Sequence, residues 1–204
     1  MKHWQYAMGM LVLVLASLYG WTTVFAQSDW QEAADEHAEQ VADEAVPEDN
    51  PEWDKYAFEL DYIDGSGVLT FADIAREGQP FILFFWLTDC PLCHLQLPQV
   101  QLLQDTVSEE DIALRIVAIN VDFGDKEALD FYTDKEMTFE LLHDSRARAT
   151  DEAYHLNDLG CPLIYVFNEN GEFVDYLTGY RAQLEKTVFN MLDIKAGKSA
   201  RTAH

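Results

Sequence analysis

Phe81-Ile82-Leu83-Phe84-Phe85-Trp86-Leu87-Thr88-Asp89-Cys90-Pro91-Leu92-Cys93 runs from an unbroken apolar stretch into two thiols three positions apart. Six consecutive large apolar residues without alternation are what a strand buried on both faces requires. Helical spacing follows Cys90, so the pattern predicts a strand, a short turn and a helix whose first turn carries the cysteine pair. At that place unpaired N–H groups and the helix macrodipole favour a thiolate. Cys90 is then the expected nucleophile. Cys93, one turn along, is the expected resolving thiol, attacking a mixed disulfide on Cys90 and releasing the reduced partner. Pro91 suits the first helical turn, where its missing N–H costs no intrahelical bond.

The same spacing also serves as half of a zinc site. Four-ligand zinc needs a second pair, and this chain has three cysteines and no second CxxC. His94 lies beside Cys93 rather than at a spacing that completes a tetrahedron, which favours redox chemistry over structural zinc.

Around this motif the chain resembles the thioredoxin superfamily, and more closely its TlpA-like, extracytoplasmic, membrane-associated branch. Phe85 to Cys93 is similar to that branch's phenylalanine-tryptophan-alanine-threonine-tryptophan-cysteine-x-x-cysteine signature, and Pro98 falls where the family kinks its active-site helix. Asp64-Gly65-Ser66-Gly67 followed by Leu69 to Ile74 resembles the entry hairpin and short helix. Ile116 to Val121 resembles the second core strand, Leu159 to Phe167 the cis-proline loop with its following strand, and Asn168 to Glu172 the next hairpin turn. The resemblance covers about Phe58 to Asp193. It implies an α/β, thioredoxin-like fold with a central mixed sheet flanked by helices and an N-terminal hairpin extension. It also implies a redox-active Cys90–Cys93 disulfide without a further cofactor, and a substrate-binding face bordered by Trp86, Cys161 and Pro162.

Three residues depart from the family pattern. Asp89 stands where tryptophan is usual, and its carboxylate opposes a thiolate on Cys90 unless solvent screens it. Phe84 occupies the place of the buried aspartate of ordinary thioredoxins and so removes one proton acceptor for Cys93. Asp122, offset by one from the glutamate of TlpA-like proteins, is the nearest acid/base candidate, with a purely structural aspartate as the alternative. Cys161 replaces the common threonine before the cis-proline. It reads as a small buried apolar residue, as a third redox thiol, or as part of a sulfur-rich metal site with Cys90 and Cys93.

At the N-terminus Met1-Lys2-His3 precedes an apolar stretch from Ala7 to Leu18, and Val24-Phe25-Ala26 offers small residues for cleavage. Residues 1–26 read as a secretory signal, or as an uncleaved anchor if the apolar stretch extends through Trp21 and Val24. Either way the domain faces a periplasmic or otherwise extracytoplasmic, oxidising compartment in which a disulfide persists. No cysteine ends the signal, so the usual bacterial lipid attachment is not expected. Membrane association is expected only if the segment stays uncleaved.

Residues 27–57 hold 11 acids against the single base Lys55. Such a segment repels itself and buries little, so it reads as a disordered linker. The whole chain carries a formal charge of −24, which disfavours nucleic acid and anionic lipid as partners. The acidity is read first as a solubility feature, with cationic proteins as the favoured class of partner.

Residues 58–193 have the length of one domain, with no internal repeat. Leu95, Leu97, Val100, Leu102 and Leu103 give the active-site helix a broad apolar face. A helix is expected around Glu127 to Tyr132, a strand at Phe139 to Leu142, a helix at Ala147 to Tyr154, and a closing helix through Leu184, Val188, Met191 and Leu192. Residues 194–204 read as a flexible tail. His143 and His155 are each isolated in sequence and are read as local surface or core.

The leading functional expectation is a periplasmic thiol–disulfide oxidoreductase acting on protein cysteines, coupled to an upstream redox partner, and by resemblance a reductase. A metal-binding or delivery module using Cys90, Cys93 and Cys161 is the alternative. A peroxidase of the peroxiredoxin branch ranks third, because no threonine and arginine arrangement around a single peroxidatic cysteine is visible.

Overall fold

The computed structural model describes residues 50–195. The signal segment, most of the acidic linker and nearly all of the tail expected from the sequence lie outside those residues. The described residues form one seven-stranded mixed sheet: β1 (Glu59–Tyr62), β2 (Val68–Thr70), β3 (Phe81–Trp86), β4 (Arg115–Asn120), β5 (Glu140–His143), β6 (Leu163–Phe167) and β7 (Phe173–Thr178). Their order across the sheet is β2-β1-β5-β4-β3-β6-β7. Strands β3, β4 and β5 are parallel, with Trp86 opposite Asn120 and Asn120 opposite His143, so the loops leaving them emerge together at one edge. The hairpin β1–β2 extends the sheet beyond β5, and β6 and β7 run antiparallel on the other side.

Every residue of β3 is buried. Ile82, Phe84 and Trp86 point into a core shared with Leu97, Val100 and Leu103 of α2 (Pro91–Glu109), Ala128 of α3 (Lys126–Asp134), and Leu184 and Val188 of α6 (Leu184–Met191). Phe81, Leu83 and Phe85 point to the opposite face, where they meet an aromatic cluster of Phe58, Phe71, Tyr154, Tyr165 and Phe167. The alternation of a strand thus supplies two separate cores from one apolar run. The short α1 (Phe71–Ala75) starts at a capping box in which Thr70 and Asp73 satisfy each other's backbone amides.

The structure corrects three expectations. Residues 50–57, assigned to the linker, are folded: Trp53 is 3% exposed, and its indole Nε1 donates to the Asn170 carbonyl at 3.0 Å. Apolar burial of one tryptophan outweighs the repulsion of the few acids around it. On α2, Leu95 and Leu102 are 55% and 39% exposed, because the buried stripe runs through Cys93, Gln96, Leu97, Val100 and Leu103. The helix expected over 147–154 is interrupted: a 3-10 turn at Ser145–Ala147 is followed by α4 (Asp151–Tyr154) and α5 (Leu156–Leu159). Left-handed Arg146, Ala147 and His155 break the path, and the buried Asp144 carboxylate accepts from the Ala149 and Thr150 amides there.

Candidate active site

Cys90 is the N-cap of α2, with extended backbone angles and its Sγ accepting from the Cys93 amide at 3.1 Å. Pro91 occupies the first helical position, as expected from its fixed φ and missing N–H. Cys90 and Cys93 form a disulfide with Cα atoms 5.1 Å apart. Their environments differ sharply. Cys90 is partly exposed at the sheet edge, whereas Cys93 is 0% exposed within the core that holds Ile82, Phe84 and Leu97.

The Cys161–Pro162 bond is cis, and the Cys161 carbonyl oxygen lies 3.5 Å from Cys90 Sγ. The structure therefore brings Cys90, Cys93, Cys161 and Pro162 together, with Cys161 facing Cys90 through its backbone. Burial, and secondarily the negative charge of Asp122, push the Cys161 thiol from 9.0 up to about 12. A thiol held protonated in this way is a poor nucleophile and a poor soft-metal ligand. Among the described residues no three histidine, cysteine, aspartate or glutamate side chains converge as a metal cluster.

Asp122 follows β4 and accepts from the Thr88 amide at 3.0 and 3.3 Å and from the Asn120 side chain at 2.8 Å. It anchors the turn that carries Cys90, which is the structural alternative weighed for this residue. Asp89 is exposed. Trp86 is not at the accessible face: it is 0% exposed and packs against Phe131 at 5.9 Å, so its expected contact with a substrate does not match its position. The last residue of a strand buried on both sides faces the core. Phe84 occupies the same core as Cys93, leaving an aromatic ring where a carboxylate was considered.

Sequence reasoning missed His94 and Asn120. His94 Nε2 lies 2.6 Å from the Thr88 carbonyl, and Asn120 is a buried polar residue that orients Asp122. The adjacency of His94 to Cys93 was a signal, but it was weighed only for zinc. For Asn120, a polar residue closing an otherwise apolar strand was the available sign.

A helix-capping disulfide facing a cis-proline loop, on a mixed sheet with this strand order, defines a thioredoxin-like protein. The chain belongs to the AhpC/TSA family, which it matches over residues 55–176. It is 32% identical over 100 residues to sporulation thiol-disulfide oxidoreductase A of Bacillus subtilis, covering 48% of this chain and 59% of that protein. It is 28% identical over 103 residues to thiol-disulfide oxidoreductase ResA of Oceanobacillus iheyensis, covering 50% of this chain and 51% of that protein. The chain thus aligns with little more than half the length of these relatives. Among solved structures, StoA of Bacillus subtilis superposes with a TM-score of 0.50 at 25% identity, covering 64% of this chain and 94% of that one. A thiol:disulfide interchange protein DsbE of Chlorobium tepidum gives 0.56 at 21% identity, covering 66% and 89%, and bears out the fold.

Proposed function

We propose that this protein is a thiol–disulfide oxidoreductase that exchanges its Cys90–Cys93 disulfide with protein cysteines. The observation that carries the reading is the unequal setting of the two sulfurs, one accessible at a helix N-terminus and the other enclosed in the core. The names of the relatives point the same way.

In the reducing direction, the Cys90 thiolate attacks one sulfur of a partner disulfide. A Cys90–partner bond forms, and the partner's other sulfur leaves as a thiolate that takes up a proton. Cys93, after losing its proton, attacks Cys90 Sγ and expels the partner's second thiolate. Two electrons have passed to the partner, and the Cys90–Cys93 disulfide remains for an upstream thiol donor to reduce. Pro162 and the Cys161 backbone border the attack site. Asp122 fixes the turn, and Asp89 adds a screened opposing charge. The reducing direction follows the TlpA-like resemblance, and an extracytoplasmic site of action follows the N-terminal signal pattern.

The test is reduction of insulin disulfides with dithiothreitol as donor. Wild type should accelerate it, Cys90→Ser should not, and Cys93→Ser should accumulate a mixed disulfide detectable by mass spectrometry as an adduct on Cys90. Adducts on Cys93 in Cys90→Ser at the same rate would reverse the roles, and stoichiometric Cu(I) bound by reduced wild type without any exchange activity would replace the reading by the metal module.

A further inference from the structure

The turn Leu87-Thr88-Asp89 between β3 and α2 sets where Cys90 sits, and the two peptide groups flanking Thr88 are each held by a side chain. The Thr88 amide donates to the Asp122 carboxylate, and the Thr88 carbonyl meets His94 Nε2 at 2.6 Å. A carbonyl only accepts, so Nε2 carries the hydrogen and donates it to Thr88. The imidazole is also stacked on Phe131 of α3, with centroids 4.9 Å apart and planes at 21°. Phe131 in turn packs on Trp86, the last residue of β3. One exposed side chain therefore ties the first turn of the active-site helix to the strand end, to α3 and to the turn bearing the nucleophile.

We propose that His94 is a positioning residue for this exchange reaction, clamping the Cys90 turn through Thr88. The proposal rests on the oxidoreductase reading above. Nε2 donates in both the neutral and the protonated ring, so the clamp is independent of pH.

Two substitutions test the clamp. His94→Gln keeps an N–H donor of similar reach, and His94→Leu removes it while keeping apolar contact with Phe131. Exchange of the reduced proteins with glutathione disulfide near pH 8 should fall about tenfold in His94→Leu and return to within about threefold of wild type in His94→Gln, the size of one hydrogen bond.

His94→Gln as slow as His94→Leu, or His94→Leu as fast as wild type, overturns the clamp. Absence of any exchange by wild type refutes the oxidoreductase reading itself, a result distinct from normal exchange that ignores both substitutions.

Discussion

In the folded, reduced protein Cys161 should resist alkylation although it sits beside Cys90. Its thiol is pushed up to about 12 from 9.0, by burial first and by the Asp122 carboxylate second. At pH 8 that leaves a thiolate fraction of about 10⁻⁴, against about 0.1 for an unshifted thiol, so labelling should slow by about three orders of magnitude. A thiolate on Cys90 adds like charge and deepens the effect. Asp122→Asn removes the smaller cause only, so it should raise Cys161 labelling by no more than about tenfold, whereas unfolding in urea should restore ordinary reactivity. The same shift has a stability consequence. Below 9.0 both folded and unfolded chains keep the proton and Cys161 contributes no pH dependence. Between 9.0 and about 12 the unfolded chain releases a proton that the folded chain retains, so stability falls as pH rises through that window. A short iodoacetamide pulse followed by peptide mass spectrometry, with and without urea, reads Cys90 and Cys161 separately. Cys161 labelled within about tenfold of Cys90 in the folded protein would refute the reasoning and return it to the redox or metal set.

Asp122→Ala should destabilise the fold by about 2 kcal/mol, because the partly buried Thr88 amide loses its acceptor and the Asn120 side chain keeps only its 3.4 Å bond to the Trp86 carbonyl, while Asp122→Asn, which keeps an oxygen, should cost less than about 1 kcal/mol. Urea denaturation checks this, and a loss of insulin reduction of more than about 100-fold in fully folded Asp122→Asn would instead establish a proton-transfer role. Gly171→Ala should destabilise by at least about 2 kcal/mol on the same assay: its φ is +70°, and an added Cβ would lie 2.6 Å from Trp53 Nε1 and 2.7 Å from Ala75 Cβ. Wild-type stability in that variant would show that the 50–57 segment is not packed against the β6–β7 turn. Asp89→Asn should make the protein more oxidising against glutathione, since a better-stabilised thiolate stabilises the reduced form, but by less than about tenfold because Asp89 is exposed. No change at low salt would remove Asp89 from the redox balance.

The features legible in the sequence were those fixed by local pattern. The apolar run over Phe81–Trp86 and proline directly after Cys90 each dictate a backbone shape within a few residues. The cis bond at Cys161–Pro162, the turn at Asn168–Glu172 and the mixed sheet came instead through the resemblance to the thioredoxin superfamily. The misreadings involve tertiary choices. Trp53 lies among acids, and its burial depends on Asn170 and Gly171, more than 100 residues away. Leu95 and Leu102 are apolar but fall on the wrong side of α2, a question of a few tens of degrees of helix rotation. The resemblance puts Trp86 at the substrate face, yet β3 is buried on both faces and Trp86 lies in the core with Cys93. His94 was compared with zinc spacing when its partner was a backbone carbonyl six residues upstream.

The two cysteines of the motif are chemically alike, so any difference in role comes from their surroundings, and those are set by one helical turn. The Cys90 sulfur receives the Cys93 amide and the positive end of a 19-residue helix. The Cys93 sulfur lies among Ile82, Phe84 and Leu97, where a bare thiolate has no solvent to stabilise it. Phe84 also denies Cys93 a carboxylate beneath it. This arrangement favours attack by Cys90 and delays Cys93 until its target sulfur is already bonded to a partner. The turn that sets the Cys90 sulfur at this helix end is held at the Thr88 amide by the Asp122 carboxylate and at the Thr88 carbonyl by His94, so stabilisation of a Cys90 thiolate depends on local backbone geometry more than on the chain's net charge of −24.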